Sequence, residues 1–341
     1  MKKKLLFFAL LFLGLTSQAA TIYVKPNAGS SAWDGQTTIY NDMASAIAAA
    51  AAGDEIWVAA GEYPISATIT QNVKIYGGFA GTETSIEERA KATGAKAWEF
   101  TNTSTLKLAA NIQMFNYPSN NSSLTLDGLT LDGNKSANTG RAFQMASNTT
   151  GNTMNLTNCI VQNFKSAADG GAFNVRGTGV TIAQCLITNN EANKGAAGYF
   201  DNGVVIRDCE ITYNSVPTNQ TSYQGSTAGG GGGLFLANTN SGVTVYNCYI
   251  ANNTASFGGG VFIRNNSKIY NSIIVNNTSA VKGSGVCFEG RDNGGSVYNC
   301  IIANNTSSAT DGSGVCFTST AAGAKTHTLK NSILYNNTDN G

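Results

Sequence analysis

From about Leu124 to Gly341 the chain alternates short runs of apolar and polar residues, broken by Asn-rich and Gly-rich turns. The stretch Val243 to Arg264, VTVYNCYIANNTASFGGGVFIR, shows the unit. Val243 and Val245 are apolar and Thr244 and Tyr246 face the other way, a period of two in a segment rich in β-branched residues. That pattern predicts strands, and each unit holds three. One precedes an Asn-Cys turn, one ends in Asn-Asn, and one follows a Gly-rich step.

The copies align on fixed columns. Cys or Ser recurs at Cys159, Cys185, Cys209, Cys248, Ser272, Cys300 and Ser332, at spacings of 26, 24, 39, 24, 28 and 32 residues. Two residues on stands an aliphatic (Val161, Ile187, Ile211, Ile250, Ile274, Ile302, Leu334). Five residues after the Cys or Ser comes Asn190, Asn214, Asn253, Asn277, Asn305 or Asn337, with Phe164 the exception. A period in the twenties is the mark of a solenoid. Three short strands per turn, with turns about 4.8 Å apart, give a parallel coil in which like residues stack. Asn suits a stacked column because its amide both donates and accepts, and it tolerates the left-handed backbone of tight turns. The expected fold is therefore all-β, a right-handed parallel β-helix of roughly ten three-stranded rungs.

The N-terminal hundred residues read differently. Residues 1–19 combine a basic start (Lys2, Lys3, Lys4), an apolar stretch Leu5–Leu15 and small residues before a cut after Ala19. This is the pattern of a secretory signal, too short for a convincing membrane span. Residues 20–100 are expected to form an N-terminal cap and the first rungs, with a short helix over Asp42–Ala52, stopped by Gly53. A helix across the open end of a coil hides strand edges and core. Residues 84–100 carry much of the charge and are expected to form a surface excursion. Residues 101–341 hold the repeats, which stop at Asn340-Gly341 without a visible capping element and so read as truncated.

Charged residues make up only 12% of the chain, about half the usual share, and the formal net charge is +1. That balance gives no electrostatic case for nucleic acid or an anionic membrane surface.

These repeats resemble the right-handed parallel β-helix of the pectin lyase-like superfamily. NCYIANNTASFGGGVF is similar to the repeat of chlamydial-type polymorphic outer membrane proteins, although Ile250, Ile274 and Ile302 stand where that repeat has Phe. IYVKPNAG, GDEIWVAAGEY and IYGGFAGTETSIEER resemble the opening of exported β-helix proteins of the Bacteroidota. The superfamily includes lyases, hydrolases, esterases and adhesins, so the resemblance implies fold more than activity. In its enzymes the face of the third strand commonly carries the substrate groove.

With Val261 and Ile263 inward, the outward residues of the third strand are Gln144, Asn174, Phe200, Phe235, Phe262, Cys287 and Cys316. Two residues further on stand Ala146, Arg176, Asn202, Ala237, Arg264, Glu289 and Thr318. Phe200, Phe235 and Phe262, flanked by Arg176, Arg264 and Tyr223 of the long 215–232 loop, are read as a candidate ligand strip for sugar rings or a partner protein. Two readings compete with it: the loop covers these Phe as ordinary packing, or Tyr199 and Phe200 exchange roles.

Catalysis in this fold needs convergent carboxylates, or Asp ligands for calcium with a basic residue. The repeats hold Asp127, Asp132, Asp169, Asp201, Asp208, Glu210, Glu289, Asp292 and Asp311, mostly beside Gly turns, and one His, His327. No catalytic set emerges from them. Calcium enters only if the chain is a lyase.

Five of the seven Cys lie in the stacked column and read as small ladder residues, while Cys287 and Cys316 are the one pair placed to bond. NNT recurs four times and matches a glycosylation sequon, which the Asn ladder explains without glycans. The leading expectation is a secreted or cell-surface β-helix that binds a polysaccharide or a host or cell-surface protein. The alternatives are a pectate lyase-like enzyme and a purely structural surface passenger.

Overall fold

The computed structural model describes residues 19–26, 33, 35–36, 38–117, 121–145, 151–218, 229–237, 241–289, 294–309, 312–318 and 326–339. Residues 1–18 of the expected signal, Tyr223, Ala146, Asp292, Asp311 and Asn340-Gly341 lie outside them.

The alternating runs form three long sheets of 12, 10 and 9 strands and a small sheet of three. Within each sheet a strand pairs in parallel with its equivalents one turn before and after, as in Thr244–Tyr246 with Val205–Arg207 and Lys268–Tyr270. The chain is thus a β-helix, with the ten strands of the second sheet matching the expected rung count. The helix at the entry covers Met43–Ala49; Asp42 caps it by accepting from the Ser45 N–H at 2.8 Å. Met43 and Ala46 pack on the first rung's core.

Why the coil holds its register is visible in the Asn column. Asn190, Asn214, Asn253, Asn277 and Asn305 are fully buried. Each amide Nδ2 donates to the Oδ1 of the next, at 2.9–3.0 Å, up to Asn337. Each Oδ1 also accepts the backbone N–H of the residue one rung back. Phe164, the exception, sits at the foot of this ladder and needs only its backbone N–H, which donates to Asn190 Oδ1 at 2.9 Å. One position earlier, Asn189, Asn252, Asn276, Asn304 and Asn336 take positive φ, the left-handed turn that Asn tolerates.

The Cys/Ser column behaves as one chemical position. Cys159, Cys185, Cys209, Cys248 and Cys300 each turn the thiol to the carbonyl two residues back, at 3.0–3.2 Å. Ser272 and Ser332 make the same bond at 2.9 Å. Inside the coil Phe115, Phe143, Phe173 and Phe200 stack on successive rungs with ring centroids 5.2–5.6 Å apart.

One register expectation fails. In the third copy Phe173 pairs with Gly198, Asn174 with Tyr199 and Val175 with Phe200. Phe200 therefore points inward, Tyr199 takes the outward place, and Asp201, not Asn202, follows Arg176. The reason is local: a Cβ on Gly198 would lie 2.2 Å from the Phe200 ring, so Gly198 makes the room that Phe200 fills.

Candidate functional site

The anticipated aromatic strip exists as a stack but is not a surface. Tyr199, Phe235 and Phe262 lie over one another with centroids 5.1 and 4.9 Å apart and planes within about 11°. They are buried together with Phe257, Ala237, Cys287 and Cys316 in a second apolar cluster outside the coil. Phe257 comes from the small sheet formed by Thr254–Phe257, Thr278–Lys282 and Thr306–Ser307. The flanking cations are drawn into the same packing. The Arg176 guanidinium lies 5.1 Å from the Tyr199 ring centre, and Arg264 pairs with the buried Glu289 at 2.9 Å.

Several of the described carboxylates tie side chains of the coil together. Asp127 accepts from Arg89 and Thr157 at 2.6 Å and from Asn158 at 2.7 Å. Asp132 accepts from Gln162 and Asn163, and Asp208 pairs with Arg207 and Asn247. Asp169 pairs with Lys194, and Glu210 with Lys96. The His327 ring lies beside Phe288 and Phe317 and accepts from the Gly295 N–H. Among the described residues no three His, Cys, Asp or Glu side chains gather as metal ligands.

A cleft of about 420 Å³ at the second corner is lined by Lys165, Glu191, Asn193 and Val216, among others. Both Glu191 oxygens are engaged, by Lys135 at 2.7 Å and Lys165 at 3.1 Å. The Lys135 hydrogen bond in particular holds this carboxyl below its ordinary range, against the opposing effect of burial. It is an ionised acceptor at neutral pH, not a proton donor.

A solvent-facing apolar run lies around the first corner, where the first sheet gives way to the second. On the first sheet Tyr76, Asp127, Thr157, Ala183, Arg207, Tyr246, Tyr270, Tyr298 and Lys330 share one outward column. Tyr246 and Tyr270 stand face to face at 5.0 Å and are half-buried. Three residues later, on the second sheet, Tyr249, Ile273, Ile301 and Ile333 form a second outward column, 36–60% exposed. Between the two runs a ridge of Asn247, Asn271, Asn299 and Asn331, all at positive φ. Within the ridge Asn299 donates to Asn271 at 3.3 Å.

The same column is covered upstream by the chain itself. Residues 84–101 lie over it, Arg89 reaching Asp127 at 2.6 Å with its guanidinium 4.9 Å from the Phe100 ring centre. Lys96 extends that cover to Glu210 at 2.6 Å, one rung short of Tyr249. Beyond this point the two columns turn aromatic and aliphatic, half-buried at Tyr246 and Tyr270 and more exposed at Tyr249, Ile273, Ile301 and Ile333.

Sequence comparison bears on the fold. The profile for the right handed beta helix region matches residues 117–300, more than half of the chain. The chain belongs to this family. Two solved structures similar to the β-helix are pectin methylesterase from Aspergillus niger, in deglycosylated and penultimately deglycosylated forms. They are 13% and 14% identical, cover 96% of this chain and 87% of their own, and superpose with a TM-score of 0.42. A search of curated proteins gives no match. Among the described residues of the β-helix no helix is long and apolar enough to cross a membrane.

Sequence reasoning marked Tyr246 as outward but gave its column no role. The signal was present: outward positions that stay apolar on rung after rung, at Tyr249, Ile273, Ile301 and Ile333, where a solvated face needs polar residues.

Proposed function

We propose that this β-helix is an exported protein that acts by binding, and that its contact face is the strip around the first corner. The single observation that carries the reading is the run of large apolar side chains left in solvent at Tyr249, Ile273, Ile301 and Ile333. Contiguous exposed apolar surface on a soluble fold marks a place where something docks. The basic and apolar stretch at residues 2–15 supports export.

A glycan chain suits the strip better than a globular protein. Four rungs span roughly 15 Å at about 4.8 Å each, and the strip is only two columns and a ridge wide. That is far less than the ~800 Å² per partner of a standard protein interface. Phenol hydroxyls from Tyr246, Tyr270 and Tyr298 and amides from the Asn ridge alternate with the aliphatic residues. A sugar chain presents the same mixture of apolar ring faces and hydroxyls. Lys268 and Lys330 lie exposed at its border.

The test is a glycan array followed by calorimetric titration of the best ligand. Tyr270→Ala combined with Ile301→Ala is expected to weaken binding at least about tenfold, a loss of ~1.4 kcal/mol, with the folded circular dichroism spectrum retained. Wild-type affinity in that variant would contradict the assignment. Shortened or unsaturated sugar products would replace binding with catalysis.

A further inference from the structure

Cys287 and Cys316 differ from the other five cysteines in where their thiols turn. They occupy outward positions of Val286–Glu289 and Val315–Thr318 and are direct partners in the parallel register. Their thiols turn towards each other, Sγ to Sγ 2.8 Å, whereas the column cysteines turn theirs to backbone carbonyls. Neighbouring strands about 4.8 Å apart fall inside the Cα separation of roughly 4.4–6.8 Å that a disulfide spans.

Space is kept for the pair. Gly283 has φ +65, and a Cβ there would stand 2.6 Å from the Cys316 sulfur and 2.8 Å from the Cys287 Cβ. The position also has meaning along the stack. Tyr199, Phe235 and Phe262 fill the preceding rungs of this column with stacked rings, and the two thiols take over where the rings stop.

We infer that Cys287 and Cys316 form a cross-rung disulfide that clamps two successive turns of the coil, the other five cysteines remaining thiols. The oxidant is a disulfide of the glutathione or thiol-oxidoreductase class. Cys316, the more accessible of the two, loses its proton to solvent, and its sulfur attacks the oxidant's S–S bond. A mixed disulfide forms and one oxidant thiolate leaves. The Cys287 sulfur, giving up its proton, then attacks the Cys316 sulfur, and the second oxidant thiolate leaves. The protein loses two electrons and two protons, and the oxidant gains both as two thiols.

The wild-type chain carries the test. It is incubated with oxidised glutathione, quenched, alkylated in denaturant, and weighed before and after proteolysis. Five alkyl groups on a chain of seven cysteines, with a cross-linked peptide joining residues 287 and 316, is the expected result. Seven alkyl groups, a stable glutathione adduct, or a bond between any other pair would overturn it. The oxidised wild type is further expected to melt several degrees higher than the same protein after dithiothreitol. In Cys287→Ser with Cys316→Ser the reductant is expected to have no effect, and equal shifts in both would count against the clamp.

Discussion

Asn253→Ala is expected to destabilise the coil by about 2–4 kcal/mol, one stranded buried N–H at ~1–3 kcal/mol plus the other lost bonds at ~1 kcal/mol. The side chain is fully buried, and its Nδ2 donates to Ile211 O at 2.9 Å and to Asn277 Oδ1 at 3.0 Å. Its Oδ1 accepts the Asn214 N–H and the Asn214 Nδ2, both at 3.0 Å. Truncation leaves the Asn214 N–H buried with no water to replace the amide. Chemical denaturation followed by circular dichroism measures the loss. Asn271→Ala, on the exposed ridge, removes a left-handed turn preference and a solvent-exposed bond from Asn299, and is expected to cost about 1 kcal/mol. Equal losses at the two positions would contradict the buried ladder.

Phe200→Ala is expected to lose about 4 kcal/mol, the usual range for a buried Phe being ~3–5 kcal/mol. The ring is fully buried at the head of the Phe115–Phe143–Phe173 stack and fills the space over Gly198. Gly198→Ala attacks the same contact from the other side, because its methyl would meet the ring at 2.2 Å. Both variants are read by the midpoint of denaturation. A Phe200→Ala protein as stable as the wild type would place this residue outside the core.

Much of the fold could be read because a solenoid repeats its reasons. The Asn ladder, the Cys/Ser bend and the Gly steps recur at each turn, so seven weak local signals become one strong one. The slip at Phe200 shows where this fails. In GAAGYF the slot filled by Phe173 one rung earlier is taken by Gly198, and a register shift of one residue turns every side chain to the opposite face. Alternation alone cannot tell Tyr199 from Phe200; the packing of Phe200 on Gly198 can.

The location of the exposed face was harder to read for a different reason. Whether an outward column meets solvent depends on what lies over it, and those contacts are distant in sequence. Phe257 of the small sheet closes one face with Phe235 and Phe262. Arg89 and Lys96 bridge 38 and 114 residues to close part of another. The charge of residues 84–100 marked a surface excursion, but nothing in the local pattern said which column it would shield. Among the described residues that excursion reaches as far as Glu210, one rung before Tyr249.

Hydroxyl-radical footprinting of the free protein, read by mass spectrometry, tests most directly which aromatic column faces solvent. Tyr249, Ile273 and Ile301 are expected to be heavily oxidised, with Phe235 and Phe262 at background. Strong labelling of Phe235 and Phe262, with Tyr249, Ile273 and Ile301 protected, would contradict the account.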